Sequence, residues 1–299
     1  MKLLNKIFNR IVRHMKAKKE RIYNCARIDR RDFQEGINKH FPAGDAYWIN
    51  VAKHIKSVAE NDHANFFRDP EVILHLASED PGLGYRLLDK IRLHPLGSCV
   101  LTKCSTPSWG APFILKKYPF LSPTTASHLA NILSIYELSG QEISSILDFG
   151  GGYGGFARCM AMLDPNVEIN IVDLPEMQYV QNKFLNATTN FGKYRFFNDI
   201  DDLFSVNVDV FNASFSFSEV PRSYRERVEA FIVNNSKNVH IIFQSRFNGI
   251  DNLEYMGDFK KRLETNGWLV KIEKYDWYGR DSAWLLSGRC KTALTDIAR

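Results

Sequence analysis

Long hydrophobic runs are missing from this 299-residue sequence. No stretch approaches the roughly 18 to 20 consecutive apolar residues of a membrane span, and the N-terminus lacks the unbroken apolar segment of a secretion signal. Cysteine is sparse: Cys25, Cys99, Cys104, Cys159 and Cys290 are odd in number and scattered. That pattern excludes a disulfide framework and a CxxC metal knuckle, and a reduced, cytoplasmic setting is expected. No HExxH motif, calcium-loop spacing, internal repeat or low-complexity tract occurs, so no metal is expected. A net positive charge is also missing from most of the chain. Residues 1–31 carry eleven Lys and Arg against Glu20 and Asp29, so an overall net charge of +5 leaves the remainder mildly acidic. A nucleic-acid substrate needs a basic track along its site, so none is expected.

What is present suffices for a folded core: 44% of residues are hydrophobic and 13% aromatic. Three regions are expected. Residues 1–22 place Leu3, Leu4, Ile7, Phe8, Ile11, Val12 and Met15 at helical spacing with Lys and Arg opposite. This reads as a basic amphipathic helix, either packed on its own domain or in peripheral contact with an anionic membrane. Residues 23–125 read as mainly helical, with turn signals at FPAGD, EDPGLG, HPLG and TPSWGAPF. Their aromatics, among them Trp48, Phe66, Phe67, Tyr85 and Trp109, are expected to serve mostly as core and in part as a lid shaping an acceptor pocket. Residues 126–299 change style. After a helix capped by Ser122 or Thr124 and ended by Gly140, strands and helices alternate: SSILDF, GFARCMAML, VEINIVDL, PEMQYVQNKFL, YRFFND, VDVFNASFSF, a helix through Tyr224 and Val228, then NVHIIFQ. A further helix ends near Gly267, and two closing strands lie near enough together for a hairpin. The expected fold is α/β, an open parallel sheet ending in an antiparallel pair.

The first strand runs into the turn DFGGGYGG. Ligands of such sheets sit at the carboxyl ends of the strands, where a helix N-terminus offers unpaired N–H groups. Gly150, Gly152 and Gly155 satisfy the dinucleotide fingerprint, with Asp173 placed for a ribose, so an NAD-linked oxidoreductase is one reading. Asp148 opposes it, because a carboxylate at the strand end would face a pyrophosphate. A sulfonium cofactor with an ammonium tail suits that acid better. S-adenosylmethionine is therefore the expected cofactor, with Asp173 taking both ribose hydroxyls. A catalytically idle scaffold with the same fold is the third reading.

The strings DFGGGYGG, VDLPEMQYVQNKFL and FSFSEVPRSY resemble the sugar O-methyltransferases of bacterial polysaccharide gene clusters. These belong to the Rossmann-like class I methyltransferases. The resemblance covers about residues 105–250 and implies transfer of a methyl group to a sugar hydroxyl on a nucleotide sugar or glycan precursor. It also implies that Asp148, Gly150, Gly152 and Gly154 line the methionine end of the cofactor. Asp173 would then hold the ribose and Leu174 lie beside the adenine. Phe197, Asn198 and Asp199 would border that ring, with Asp199 either accepting the exocyclic amine or serving as a cap. An alcohol must lose its proton during transfer, so a base is expected. Glu219, after the fourth strand, and His128, on the helix before the glycine turn, are the first candidates; His94 and Asp281 follow. Glu219 reads equally as a helix-start acid or a partner for Arg222, and His128 as a helix-surface or core histidine. His240, read as opening a strand, is expected to be structural. Asp199, Asp201 and Asp202 read as an acidic loop rather than a cation site.

Overall fold

A computed structural model of the chain describes residues 46–140, 142–247, 249–278 and 283–291. The basic segment 1–22 and Asp281 lie outside the described residues.

Seven strands form one sheet in the order β3-β2-β1-β4-β5-β9-β8. They are β1 (Ser145–Phe149), β2 (Glu168–Val172), β3 (Lys193–Phe197), β4 (Val208–Ser214), β5 (Ser236–Gln244), β8 (Trp268–Lys274) and β9 (Ala283–Cys290). β1 to β5 are parallel; β9 runs antiparallel between β5 and β8. This is the Rossmann-like α/β arrangement expected, with its C-terminal hairpin. The strand order reverses at β1, flanked by β2 and β4, so the crevice at its carboxyl end is where a ligand binds in such sheets. A two-strand ribbon, β6 (Arg246–Phe247) with β7 (Ile250–Asp251), was not expected from the sequence.

Both faces of the central strands are buried, and successive side chains alternate between two cores. Ile146, Ile169, Ile171, Val210 and Ile242 join one core, while Leu147, Phe149, Phe211, Ile241 and Phe243 join the other. The first core is covered by α5 (Pro123–Ser139), α6 (Gly155–Leu163) and α7 (Pro175–Thr188), the second by α8 (Arg222–Asn235) and α9 (Asn252–Thr265). Local chemistry sets the helix starts. The Ser122 hydroxyl accepts from the Thr125 N–H ahead of Pro123, and Asp251 accepts from Leu253 and Glu254.

The N-terminal helices α1 (Ala46–Asn61), α2 (Pro70–Leu76), α3 (Pro81–Leu93) and α4 (Gly97–Lys103) share the first core. The five aromatics expected to divide between lid and core behave differently from one another. Phe66 is buried, and Trp109 packs edge-on to Phe184 of α7. Trp48 packs on His75, and the Tyr85 hydroxyl accepts from the Lys117 N–H. Only Phe67 of the five lines the narrow cleft beside Tyr153 of the glycine turn.

One strand end departs from expectation. VDVFNASFSF reads as β throughout, yet β4 stops at Ser214 and Phe215 turns to φ +72°. A short 3-10 turn, Ser216–Ser218, follows. Likewise β8 stops at Lys274, and residues Asp276–Tyr278 form another such turn.

Candidate functional site

The glycine turn packs against the end of β4. Gly150 adopts φ +72°, and a Cβ there would lie 2.3 Å from Ser216 Cβ, so no side chain fits. Gly152 is also left-handed, but a Cβ there would meet only Leu76 of α2 at 3.5 Å; Gly154 caps α6 at φ +91°. Bare backbone is therefore presented at the mouth of β1.

Two carboxylates converge on it. Asp148 is 3% exposed; its Oδ1 accepts from Asn212 Nδ2 at 2.9 Å, and its Oδ2 has no partner among the described residues. Burial pushes its pKa up to about 7. Asp173 follows β2. Its Oδ1 accepts from the Leu174 N–H at 2.8 Å and its Oδ2 from Gln181 Nε2 at 2.7 Å. Burial still raises its pKa to about 7, and the charge of Asp148 adds to the rise. A site holding two such acids favours a cation and opposes a second anion.

Two glutamines build this geometry and escaped the sequence reading. Gln181 of α7 donates to the Gly152 carbonyl at 2.9 Å as well as to Asp173, tying turn to acid. Gln178 donates to the carbonyls of Asp173 at 3.0 Å and Phe197 at 2.6 Å, joining the ends of β2 and β3. Both are buried on α7 together with Met177, Val180, Phe184 and Leu185. Polar residues within that apolar stripe were the available signal, because a buried amide without partners costs free energy.

Asp199, next to half-buried Asn198, is buried and caps the turn after β3: its Oδ1 accepts from the Asp201 N–H and from Arg227 at 2.5 Å. Its Oδ2 is buried with no partner among the described residues. Arg227 also pairs with Asp201, so one guanidinium bridges two of the loop's three acids. Among the described residues no group of His, Cys, Asp and Glu gathers as a metal site.

Beyond the end of β4, Phe215 lies nearly parallel to Tyr278, with centroids 6.2 Å apart. Its left-handed backbone, costly for a phenylalanine, is held by a 2.7 Å bond from its N–H to the Ile242 carbonyl. Asn131 of α5 accepts from the hydroxyls of Tyr275 at 2.8 Å and Tyr278 at 3.3 Å, and donates to Ser214 Oγ at 3.0 Å. Glu219 is half-buried beyond the same strand end, where Oε1 accepts from Gln244 Nε2 at 2.9 Å. Arg225, fully buried, braces this corner through the carbonyls of Ser218 and Val220 and the side chain of Asn252.

His128 lies behind the glycine turn. Its Nε2 is 3.1 Å from the Tyr153 hydroxyl, and burial lowers its pKa to about 4. It is neutral at pH 7 and a weak base. His94 lies by the last turn of α5, 3.3 Å from Glu137. His240 is in the middle of β5, which begins at Ser236 rather than near the histidine.

No protein-family model and no curated protein matches the sequence. Solved structures do. The methyltransferase domain of a bacterial Hen1 is similar at 11% identity, covering 55% of this chain and 99% of that one, with a TM-score of 0.44. A glycopeptide N-methyltransferase complexed with S-adenosyl-L-methionine is similar at 9% identity over 55% and 93% of the two chains, TM-score 0.42. A precorrin methyltransferase from Geobacter metallireducens is similar at 16% identity over 59% and 92%, TM-score 0.40.

Proposed function

We propose that this chain is an S-adenosylmethionine-dependent O-methyltransferase acting on a sugar hydroxyl. The observation that carries the cofactor assignment is Asp148: a buried carboxylate with one oxygen unpartnered, under a bare turn and beside a second acid. Adding a pyrophosphate there would place like charges together in a low-dielectric pocket, whereas a sulfonium and an ammonium relieve the repulsion. The rest of the site fits the same guest. Asp173 retains lone pairs for two ribose hydroxyls, and the unpartnered Oδ2 of Asp199 suits an exocyclic amine. Leu174 and Asn198 flank those acids in sequence.

When bound, the cofactor supplies an electrophilic methyl group on sulfur. The chain's own residues then hold the acceptor in line and receive its proton. Glu219 is the proposed proton acceptor, kept in place by Gln244; neutral, packed His128 supports the turn. The sugar assignment rests on the resemblance of DFGGGYGG, DLPEM and FSEV. A glycan precursor at the inner membrane face, approached through residues 1–22, accords with the charge of that segment.

Calorimetry with S-adenosylhomocysteine and with NADH tests the cofactor, and labelled-methyl transfer to a panel of activated sugars tests the acceptor. Binding of NADH without S-adenosylhomocysteine would overturn the proposal.

A further inference from the structure

A polar level crosses the hydrophobic sheet. Asp148 on β1, Asn212 on β4, His240 on β5 and Ser287 on β9 are successive register partners. Their exposures are 3%, 0%, 0% and 3%. Two positions away on the same face stand Ile146 and Val210 on one side of this level and Ile242 and Leu285 on the other, all core residues. Adjacent polar side chains at such a depth are expensive unless hydrogen-bonded; Asp148, Asn212 and His240 are joined to one another, while the Ser287 hydroxyl has no partner among the described residues.

The hydrogen bonds run in one sense. Asn212 Nδ2 donates to Asp148 Oδ1 at 2.9 Å, which leaves Asn212 Oδ1 as an acceptor. That oxygen is 3.1 Å from His240 Nδ1, so Nδ1 must carry the hydrogen. In the neutral ring Nε2 is then bare, and it accepts from the Ser134 hydroxyl of α5 at 3.0 Å. Burial lowers the pKa of His240 to about 3, in keeping with a neutral ring. The far end of the chain is Asp148 Oδ2, unpartnered among the described residues and 3.2 Å from where a Cβ on Gly151 would stand.

We infer that His240 is a positioning residue for the cofactor acid. Its Nδ1–H fixes the Asn212 amide, and the amide holds Asp148 with one oxygen engaged and the other turned under the glycine turn toward the cationic end of the cofactor. The inference rests on the cofactor reading above. Without the histidine the amide can rotate and offer its oxygen to the carboxylate, which would repel it. The charged group facing Asp148 from the neighbouring strand end is Asp173; Asn212 supplies the neutral contact.

Nitrogen-15 NMR of the cofactor-free wild type reads the tautomer directly. An Nδ1–H ring is expected; an Nε2–H ring overturns the inference. His240→Leu should weaken S-adenosylhomocysteine binding about tenfold and raise the carboxyl titration midpoint of Asp148, followed by carbon-13 NMR without cofactor. His240→Asn, which keeps a donor near the Nδ1 position, should restore both; a merely structural role would lower thermal stability and leave the midpoint in place. Unchanged affinity and midpoint in His240→Leu would refute the role. If that variant does not fold, Ser134→Ala removes the donor to Nε2 and should keep the Nδ1–H ring, because Asn212 Oδ1 still accepts from it; an Nε2–H ring with unchanged affinity there refutes the relay. Should the wild type bind no S-adenosylhomocysteine, the cofactor reading fails, while the tautomer and midpoint still judge the relay separately.

Discussion

Replacing Asp148 by asparagine should make the cofactor-free protein more stable at alkaline pH while removing its affinity for the cofactor. The folded state holds the Asp148 proton to about pH 7, against 3.8 for an ordinary aspartate. Between those values the folded chain binds more protons than the unfolded one, so this group's contribution to stability falls as pH rises through the window and levels off above it. The side chain is 3% exposed, so solvent screening offers little relief. Three pH units at about 1.4 kcal/mol each give a penalty of about 4 kcal/mol. Measured between about pH 5 and about pH 8, some two units of that window remain, or roughly 3 kcal/mol. Asparagine keeps the acceptor for Asn212 and carries no charge, so Asp148→Asn should show no such decline. Its neutrality also removes one of the causes that raise the pKa of Asp173, which acts in the same direction. Urea unfolding of both proteins, free of cofactor, across that pH range is the assay. Parallel stability profiles would show that Asp148 is not held protonated, and the electrostatic argument for the cofactor would go with it.

Three further outcomes are expected. Asp173→Ala should weaken S-adenosylhomocysteine binding by about 1.5–3 kcal/mol, the loss typical of hydrogen bonds to a charged group, and an unchanged calorimetric dissociation constant would remove Asp173 from the site. Gly150→Ala forces a methyl group against Ser216 in a left-handed backbone and should lower stability by about 2–4 kcal/mol in thermal unfolding; a wild-type melting temperature would contradict the close approach. Glu219→Gln retains an acceptor for Gln244 and so should fold and bind cofactor normally. Its methyl transfer should fall about 100-fold or more, and a rate within a few fold of wild type would pass the role of base to another group.

Much of the fold was legible in the sequence because its signals were local and repeated. Alternation of apolar strands with amphipathic helices, caps such as Ser122 and Gly140, and the short link between the closing strands specified the sheet and its hairpin. Asp148, Asp173 and Asp199 were legible because acids at strand ends are rare enough to require a reason. The break at Phe215 was not, since FSFS has strong β propensity and the turn depends in part on tertiary bonds to Ile242 and Phe149. Nor were the ties made by Gln178, Gln181 and Asn212, because a single polar residue in an apolar element says nothing about which distant partner it meets. His240 was read as structural, and its position beside Asn212 and Asp148 depends on strand order rather than on anything in its own segment.

The insertion of β9 between β5 and β8 bears on how the chain is made. During synthesis β5 emerges nearly forty residues before the strand that will occupy its flank, and β8 leaves the ribosome with no neighbour to pair with. Until the segment Ala283–Cys290 arrives, the apolar edge carrying Val239, Ile241 and Phe243 stands open to other nascent chains. A stop codon shortly before Ala283 would therefore yield an aggregating product rather than a slightly shortened folded protein, even though every residue of the glycine turn and its acids would already be in place.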